Sequence, residues 1–200
     1  MTRNLNTVHK VLGLSLVMAL AGCATQPQEY AQSHPKFDLK TFFNGPLMAQ
    51  GVFENRSGKV VNRFVVRMMG TWQENKGTLV ENFTYFDAAG KKTYQQRVWH
   101  LTETSAHHFV GSAEGSAGDV KKASGDAFGF ALHWSYDVRQ PVGKSFYNLH
   151  ANDWMYMITP DTVMDHTDVT WYGLHAGNIF LEMHKLPDTA ANREKVAAIK

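Results

Sequence analysis

The chain has 200 residues, of which 44% are hydrophobic and 12% aromatic, so it can build one domain with a real core and is not a disordered sequence. Its formal charge is +2, but two of the 20 basic residues, Arg3 and Lys10, precede Cys23, which leaves 18 basic against 18 acidic residues in the remainder. A neutral domain lacks the positive charge that nucleic-acid binding requires, and we exclude that class.

Residues 1–22 have the pattern of a secretory signal peptide. Positive charges come first, and the apolar run that follows, 11–20, is too short to span a bilayer comfortably. The run leads into Leu20-Ala21-Gly22-Cys23, which resembles the lipobox of bacterial lipoproteins, where the cysteine sulfur carries a lipid. Cys23 is also the only cysteine, so it cannot form an internal disulfide. We predict cleavage before Cys23 and anchoring of the chain to a membrane through a lipid on that residue.

The residues after Cys23 indicate which membrane carries the protein and how the domain is joined to it. Position 24 is Ala rather than Asp, which by resemblance to the sorting rule of enteric bacteria favours the outer membrane, with the domain facing the periplasm. Residues 24–36 are polar and show no periodicity, and we interpret 23–36 as the lipidated cysteine with a flexible tether. The folded domain is then expected over 37–186.

From Pro46 onward, apolar and polar residues alternate with a period of two, as in half-buried strands. The clearest run is Phe128 to Arg139, in which every second residue is apolar. Turn signals separate the runs, at 55–58, 74–77, 87–90, 141–144 and 159–161. Short turns favour antiparallel neighbours, so we predict an all-β fold of about nine to ten strands. The even spacing indicates a calycin- or lipocalin-like barrel or a strongly curved sheet, with a β-sandwich as the alternative.

The last segment, 187–200, is predicted to be a short C-terminal helix or a frayed tail. Asp188 or Thr189 can cap a helix that begins at Ala190, and Val196 and Ile199 would then contact the domain.

Familiar catalytic and metal-binding motifs are absent from the sequence. Gly143-Lys144-Ser145 resembles the end of a phosphate-binding loop, but Val138 stands where its first glycine should be. No G-x-S-x-G motif occurs. The ten histidines lack metal-ligand spacing, and the adjacent His107 and His108 would point to opposite faces of a strand. We therefore favour ordinary surface histidines and expect no metal and no cofactor.

Three charged residues stand where the alternation calls for apolar side chains. Glu81, Arg97 and Asp153 share the parity of their apolar neighbours on three predicted strands, so they are expected inside the barrel, with Arg97 paired to one of the acids. Two interpretations remain open. Arg97 could hold an anionic head group while aromatic residues hold an acyl chain, or the charges could form a closed network inside a filled barrel.

Several short motifs along the mature chain carry a family resemblance. They are Phe43-Asn44-Gly45-Pro46-Leu47, Asn55-Arg56-Ser57-Gly58-Lys59-Val60-Val61, Gly70-Thr71-Trp72, Glu81-Asn82-Phe83, Arg97-Val98-Trp99 and Asp153-Trp154-Met155-Tyr156. Through them the chain resembles, over roughly 42–185, DUF3833, a family of proteobacterial lipoproteins of unknown function. Members of such families are often encoded beside enzymes that modify membrane fatty acids, so the resemblance implies a connection with lipids.

The leading hypothesis is a non-enzymatic lipoprotein that binds a lipid or fatty acid inside a barrel. The residues expected to contact this ligand are Arg97, Trp99, Trp134, Tyr136, Trp154, Glu81 and Asp153. A second hypothesis is a scaffold or assembly factor that binds an envelope protein, whose identity the sequence leaves open. A third is an enzyme acting on envelope lipids, with Asp153 or Glu81 as its acid or base.

Overall fold

The alternating segments form ten antiparallel strands in a computed structural model that describes residues 24–198. The predicted signal peptide, Cys23 and Ile199 therefore lie outside the described residues. The strands are β1 (Gly45–Asn55), β2 (Val60–Gln73), β3 (Lys76–Phe86), β4 (Lys92–Ser105), β5 (His108–Glu114), β6 (Asp119–Phe128), β7 (Ala131–Val142), β8 (Ser145–Thr159), β9 (Thr162–Trp171) and β10 (Leu174–Lys185). The predicted all-β fold of nine to ten strands is confirmed.

The strands close into one up-and-down barrel. Each strand pairs with its neighbours in the sequence, and β1 pairs with β10 in a register that sets Leu47 opposite Lys185. Every strand is thus hydrogen-bonded on both sides, which removes the exposed edges of an open sheet and rules out the sandwich. The glycine-rich stretch 111–129 contains two register shifts, one in β5 and one in β6, where the wall bends.

Alternation along each strand divides the side chains between the barrel interior and the outer surface. On β2, Phe64, Val66 and Met68 are buried in the interior, whereas Arg63 lies exposed on the outside. The buried core is supplied by residues from Phe37 to Val196 within the described chain. These residues come from all ten strands, so the segment from Ala24 onward contains the whole barrel and its core.

One end of the barrel is closed by a short helix that the sequence pattern does not predict. Helix α1 (Leu39–Phe42) begins at Asp38, whose carboxylate accepts hydrogen bonds from the backbone amides of Lys40 and Thr41. Phe42 is 1% exposed and packs edge-to-face on Phe43, so this helix fills the end of the barrel with aromatic rings. We call this the closed end.

The ammonium group of a strand residue holds the helix in place. Lys185 Nζ donates to the backbone carbonyls of Thr41, at 2.8 Å, Phe42, at 3.0 Å, and Asn44. A cation at a helix C-terminus satisfies carbonyl groups that have no partner within the helix. Burial lowers the pKa of Lys185, and the neighbouring Asp188 partly offsets this effect.

The segment expected to be a flexible tether differs from that prediction. A 3₁₀ turn, Pro27–Tyr30, packs on β6 and β7, and Tyr30 contacts the ring of Phe130 at 5.0 Å. The chain crosses Gly129 so closely that a Cβ there would lie 1.8 Å from the Tyr30 carbonyl oxygen. Residues 27–36 are therefore packed against the closed end of the barrel. The aromatic contacts of Tyr30 hold this segment in place although most of its residues are polar.

The C-terminal helix is present, as the first of the two alternatives predicted. Helix α2 (Ala190–Ala197) has Thr189 as its N-cap and lies on the outside of β1 and β2. Val196 is fully buried against the barrel, and its carbonyl accepts a hydrogen bond from Asn82 Nδ2 at 3.3 Å. No helix within residues 24–198 is long and apolar enough to cross a membrane.

The opposite end of the barrel is open to solvent. Inward-facing positions become exposed toward this end: on β9, Val169 is 4% exposed and Trp171 43%, and on β8, Ala151 is 3% exposed and Tyr147 38%. These positions are buried in the middle of the barrel and accessible at its rim, so we call this the open end.

Candidate functional site

A cavity of about 110 Å³ lies inside the barrel between the helix at the closed end and the open end. Its wall is largely apolar, with Phe64, Val66, Leu79, Trp134 and Leu181 among its members. Four charged residues interrupt this wall: Glu81, Arg97, Asp153 and Asp165. A group of charges inside an apolar barrel is unfavourable unless each charge is paired or neutralised, so their partners decide what the site can do.

Glu81 and Arg97 form an ion pair across the β3–β4 ladder. The two residues are directly opposite in the register, and Arg97 Nε donates to Glu81 Oε2 at 2.7 Å. Trp99 Nε1 donates to the same oxygen at 3.1 Å. Burial alone would lower the pKa of Arg97, but the Glu81 carboxylate more than offsets this and raises it. Arg97 is therefore always charged and Glu81 is its counter-ion.

The pair leaves part of the guanidinium group available. Only Nε of Arg97 has a hydrogen-bond partner among the described residues, and both Nη atoms have none. The group is held over the rings of Phe83 and Trp99, at 5.3 and 5.2 Å from their centroids. Arg97 lines the cavity and its side chain is 14% exposed, so its unused N–H groups are accessible to an oxygen atom inside the cavity.

On the opposite wall, two carboxyl groups lie side by side. Asp153 on β8 is set opposite Thr167 on β9, and Asp165 precedes Thr167 by two residues on the same face. All three are buried, with exposures of 4%, 6% and 3% in the order Asp153, Asp165 and Thr167. Thr167 Oγ1 donates to Asp165 Oδ1 at 3.2 Å. The two acids therefore share one small polar site.

This carboxyl pair must hold a proton. Asp153 Oδ1 is buried and has no hydrogen-bond donor among the described residues. The side chains of Asp153 and Asp165 interact with each other, and two carboxyl groups can share a hydrogen bond only when one of them carries a proton. Burial raises the pKa of Asp153 to about 7, and burial together with the Asp153 charge raises the pKa of Asp165 well above its usual range. The pair thus keeps at least one proton at neutral pH.

Two tyrosines lie in the same part of the interior. Tyr136 lines the cavity, and burial raises its pKa, with Arg97 partly opposing the effect. Tyr85 lies nearby, and burial raises its pKa to about 12. Both phenols are therefore neutral hydrogen-bond donors at physiological pH.

The structure brings six of the seven sequence-predicted ligand contacts to the cavity wall. They are Arg97, Trp99, Trp134, Tyr136, Glu81 and Asp153. The assignment of Trp154 to this wall is wrong, because neighbouring strand residues face opposite ways and Asp153 faces inward. Trp154 lies on the outer surface, where its ring contacts Tyr30 at 6.2 Å and stacks with Tyr156 at 6.0 Å.

Sequence reasoning missed Asp165 and Thr167. The signal for both is the one that identified Glu81: a polar residue on the apolar face of a strand, here between Val163 and Val169. The pairing of Asp165 with Asp153 depends on the register between β8 and β9, which the sequence alone does not determine.

The histidines lie mostly at the barrel surface. His108, His150 and His175 each contact an aspartate through Nδ1, at 2.8, 2.9 and 2.8 Å, in exposed or half-exposed pairs. Within residues 24–198, no three His, Cys, Asp or Glu side chains come together as possible metal ligands.

The fold and the site together define a closed, ten-stranded up-and-down β-barrel with a charged internal cavity and one open end. The model of the family described as "Protein of unknown function (DUF3833)" matches residues 17–185, and the chain belongs to this family. The predicted family resemblance is thereby confirmed. A comparison with curated proteins gave no match.

Among solved structures, the S-type phycobiliprotein lyase CPES from Guillardia theta is similar to this chain. The two share 7% identity with a TM-score of 0.46, and the similarity covers 74% of this chain and 89% of that chain. This likeness does not bear on function.

Proposed function

We propose that this protein binds a lipid or fatty acid inside its barrel, with the polar head group at Arg97 and the acyl chain directed toward the open end. The observation that carries the proposal is that Arg97 has hydrogen-bond donors beside the cavity without a partner in the described chain. Arg97 lines the cavity, and its Nη atoms have no hydrogen-bond partner among the described residues. Donors of a charged guanidinium group at the wall of an apolar cavity are suited to bind the oxygen atoms of an anionic head group.

The alternative of a closed ion-pair network inside a filled barrel explains less. Such a network requires that every buried polar group has a partner. Glu81 meets this requirement, since it accepts from both Arg97 and Trp99. Asp153 Oδ1 does not, and a cavity remains beside it.

The cavity volume limits how the ligand is held. About 110 Å³ is less than the ~300 Å³ at the lower end of small-molecule sites. In the proposed complex, the cavity therefore holds the head group and the first carbons of the chain. The remainder of the chain lies toward the open end, where Tyr147 and Trp171 provide apolar surface.

We also propose that the barrel is a lipoprotein, lipid-anchored at Cys23 and facing the periplasm from the outer membrane. The support is the sequence Leu20-Ala21-Gly22-Cys23 after an apolar run, with Ala at position 24. Mass spectrometry of the protein from a bacterial envelope tests this directly. We expect an acylated peptide that begins at Cys23, and an unmodified cysteine in the mature chain would refute the anchor.

Native mass spectrometry tests ligand binding. The chain from Ala24 to Lys200 is purified without detergent from a bacterial periplasm, and bound molecules are extracted. We expect a discrete lipid in the wild-type protein and none in the double variant Glu81→Met/Arg97→Met. Replacing both members of a buried ion pair by apolar residues keeps the core packed, so this variant is expected to fold.

Two further variants make the result specific. Arg63→Met removes an exposed arginine from the outer face of β2 and should leave the bound lipid unchanged. Trp134→Arg places a charged side chain in the apolar part of the cavity wall and should abolish uptake. A folded wild-type protein that has no bound lipid and accepts none on incubation with fatty acids would contradict the proposal.

A second candidate function, binding of an envelope protein, is favoured by the rim of the open end. Nine of the twelve large apolar residues that are exposed in the described chain lie there: Val60, Val61, Tyr94, Val142, Phe146, Tyr147, Trp171, Tyr172 and Leu174. Clustered exposed apolar residues mark interaction surfaces. Crosslinking from position 172 in living cells tests this candidate, which predicts one discrete protein adduct.

A further inference from the structure

The carboxyl pair formed by Asp153 and Asp165 is the feature of the interior that the proposed head-group contact with Arg97 leaves unexplained. The structure places two acids together in an apolar barrel, with one oxygen of Asp153 buried and unpartnered. Two buried acids without a cation of their own destabilise a fold, and such pairs are retained where they bind or react. The pair and Arg97 line the same cavity, so a single small molecule can contact both.

The charges around the pair determine which ligand it accepts. Arg97 and Glu81 are the charged groups whose fields reach Asp153, and they cancel each other as an ion pair. Thr167 contacts the pair from β9, and Tyr136 faces it from β7 as a neutral phenol. With one shared proton, the whole interior therefore carries one net negative charge.

An anionic ligand would add a second negative charge to this dry site. That is unfavourable unless a further proton enters with the ligand and leaves the carboxyl pair neutral. Both acids can then donate: one to its neighbour, and the other to an oxygen of the ligand. The second ligand oxygen is free to accept from an Nη atom of Arg97.

We propose that Asp153, Asp165 and Arg97 form one binding centre for a monoanionic carboxylate, and that the carboxyl pair takes up one proton from solvent for each carboxylate bound. This inference rests on the proposed function and names its ligand class, a fatty acid bound as its carboxylate. No covalent bond changes in this step. The proton adds to a carboxylate oxygen of the pair and leaves again when the ligand leaves.

Proton uptake makes the affinity depend on pH in a direction that reports the charge of the ligand. Above the pH at which the pair loses its second proton, affinity for a carboxylate falls about tenfold for each unit of pH. A neutral ligand of the same length would bind with little dependence on pH. A cationic ligand would bind more tightly as pH rises.

Isothermal titration calorimetry with decanoate tests the inference on the chain from Ala24 to Lys200. The titration is run at several pH values between about pH 5 and pH 8, in buffers with different ionisation enthalpies, which gives the number of protons exchanged. Decanol serves as the neutral ligand of equal chain length. We expect an uptake approaching one proton per decanoate at the alkaline end, and none with decanol.

Conservative variants locate the proton. Asp153→Asn and Asp165→Asn keep the shape of the pair but remove a titrating group, so we expect the pH dependence of decanoate binding to be lost. Glu194→Gln, which removes an exposed carboxylate from α2, should leave it unchanged.

The possible results separate this inference from the proposed function. Decanoate binding by the wild-type chain without proton uptake, or uptake that persists in Asp153→Asn, would overturn the proton-coupled centre and leave fatty-acid binding standing. A folded wild-type chain that binds decanoate at no pH would overturn both.

Discussion

Replacing Asp153 by Asn should make the folded barrel more stable at alkaline pH. Burial raises the pKa of Asp153 from 3.8 to about 7 in the folded chain, against contributions from Asp165, Thr167 and Arg97 that favour ionisation. The unfolded chain therefore releases this proton at lower pH than the folded chain does. Between these two values the unfolded state binds fewer protons, so the free energy of unfolding falls as pH rises.

The magnitude follows from the two pKa values. A carboxyl group with a pKa of about 7 when folded and 3.8 when unfolded destabilises the folded state by about 4 kcal/mol at pH 8 and above. More than half of this destabilisation appears between pH 5 and pH 8. Asn cannot ionise, but it also loses the hydrogen bond of the shared proton, worth about 1–2 kcal/mol. The expected net gain for Asp153→Asn at pH 8 is therefore about 2–3 kcal/mol.

Urea unfolding of the wild-type chain and of Asp153→Asn at a series of pH values measures this difference. The histidines also titrate in this range, so the quantity to plot is the difference in unfolding free energy between the two proteins, from which their contribution cancels. Glu194→Gln, which removes an exposed carboxylate, should give a difference near zero at every pH. A difference that is independent of pH, or that shifts toward the wild-type protein as pH rises, would refute the view that the pair carries a shared proton.

Three further outcomes are expected. Phe42→Ala opens the closed end and should lower the free energy of unfolding in urea by about 3–5 kcal/mol, since the ring is fully buried; a loss below 1 kcal/mol would contradict its role. Tyr172→Asn should raise stability by up to about 1 kcal/mol, because Tyr172 has a φ of +48° and Asn tolerates that conformation better; a lower melting temperature would contradict this. Trp154→Ala should expose residues 27–36 to limited proteolysis while decanoate binding persists, and lost binding in a folded variant would return Trp154 to the cavity wall.

Much of the site follows from one rule, the alternation of side chains along a strand. Glu81, Arg97 and Asp153 share the parity of apolar neighbours, which predicts that they face inward, and the register sets Glu81 directly opposite Arg97. Along β8 and β9 the same rule places Trp154 outside and Asp165 inside. Parity states which face a residue occupies. It does not state which residue lies across the ladder, and that requires the register.

Other features depend on contacts between segments that are distant in the sequence. Helix α1 is only four residues long, too short for a recognisable period, and it is held by Lys185 from the last strand. The packing of Tyr30 on Phe130 and Trp154 likewise joins residues that are about 100 positions or more apart. The volume of the cavity depends on all the side chains that the ten strands direct into the barrel interior. None of these features has a local signature, because each is set by tertiary packing.

The positions of the two barrel ends constrain how a bound lipid could be exchanged. The described chain is attached near the closed end from Pro27 onward, and the four residue steps between Cys23 and Pro27 span at most about 14 Å from a lipid anchor at Cys23. The strands reach 15 residues in length, which puts the open end roughly 30–40 Å further away. If the proposed anchor holds and the barrel axis stands along the membrane normal, the open end faces away from the membrane that carries the protein. Ligand would then have to arrive from the periplasm, delivered by a soluble carrier or by a protein that contacts the exposed rim, so lipid binding and protein binding would be two parts of one transfer step.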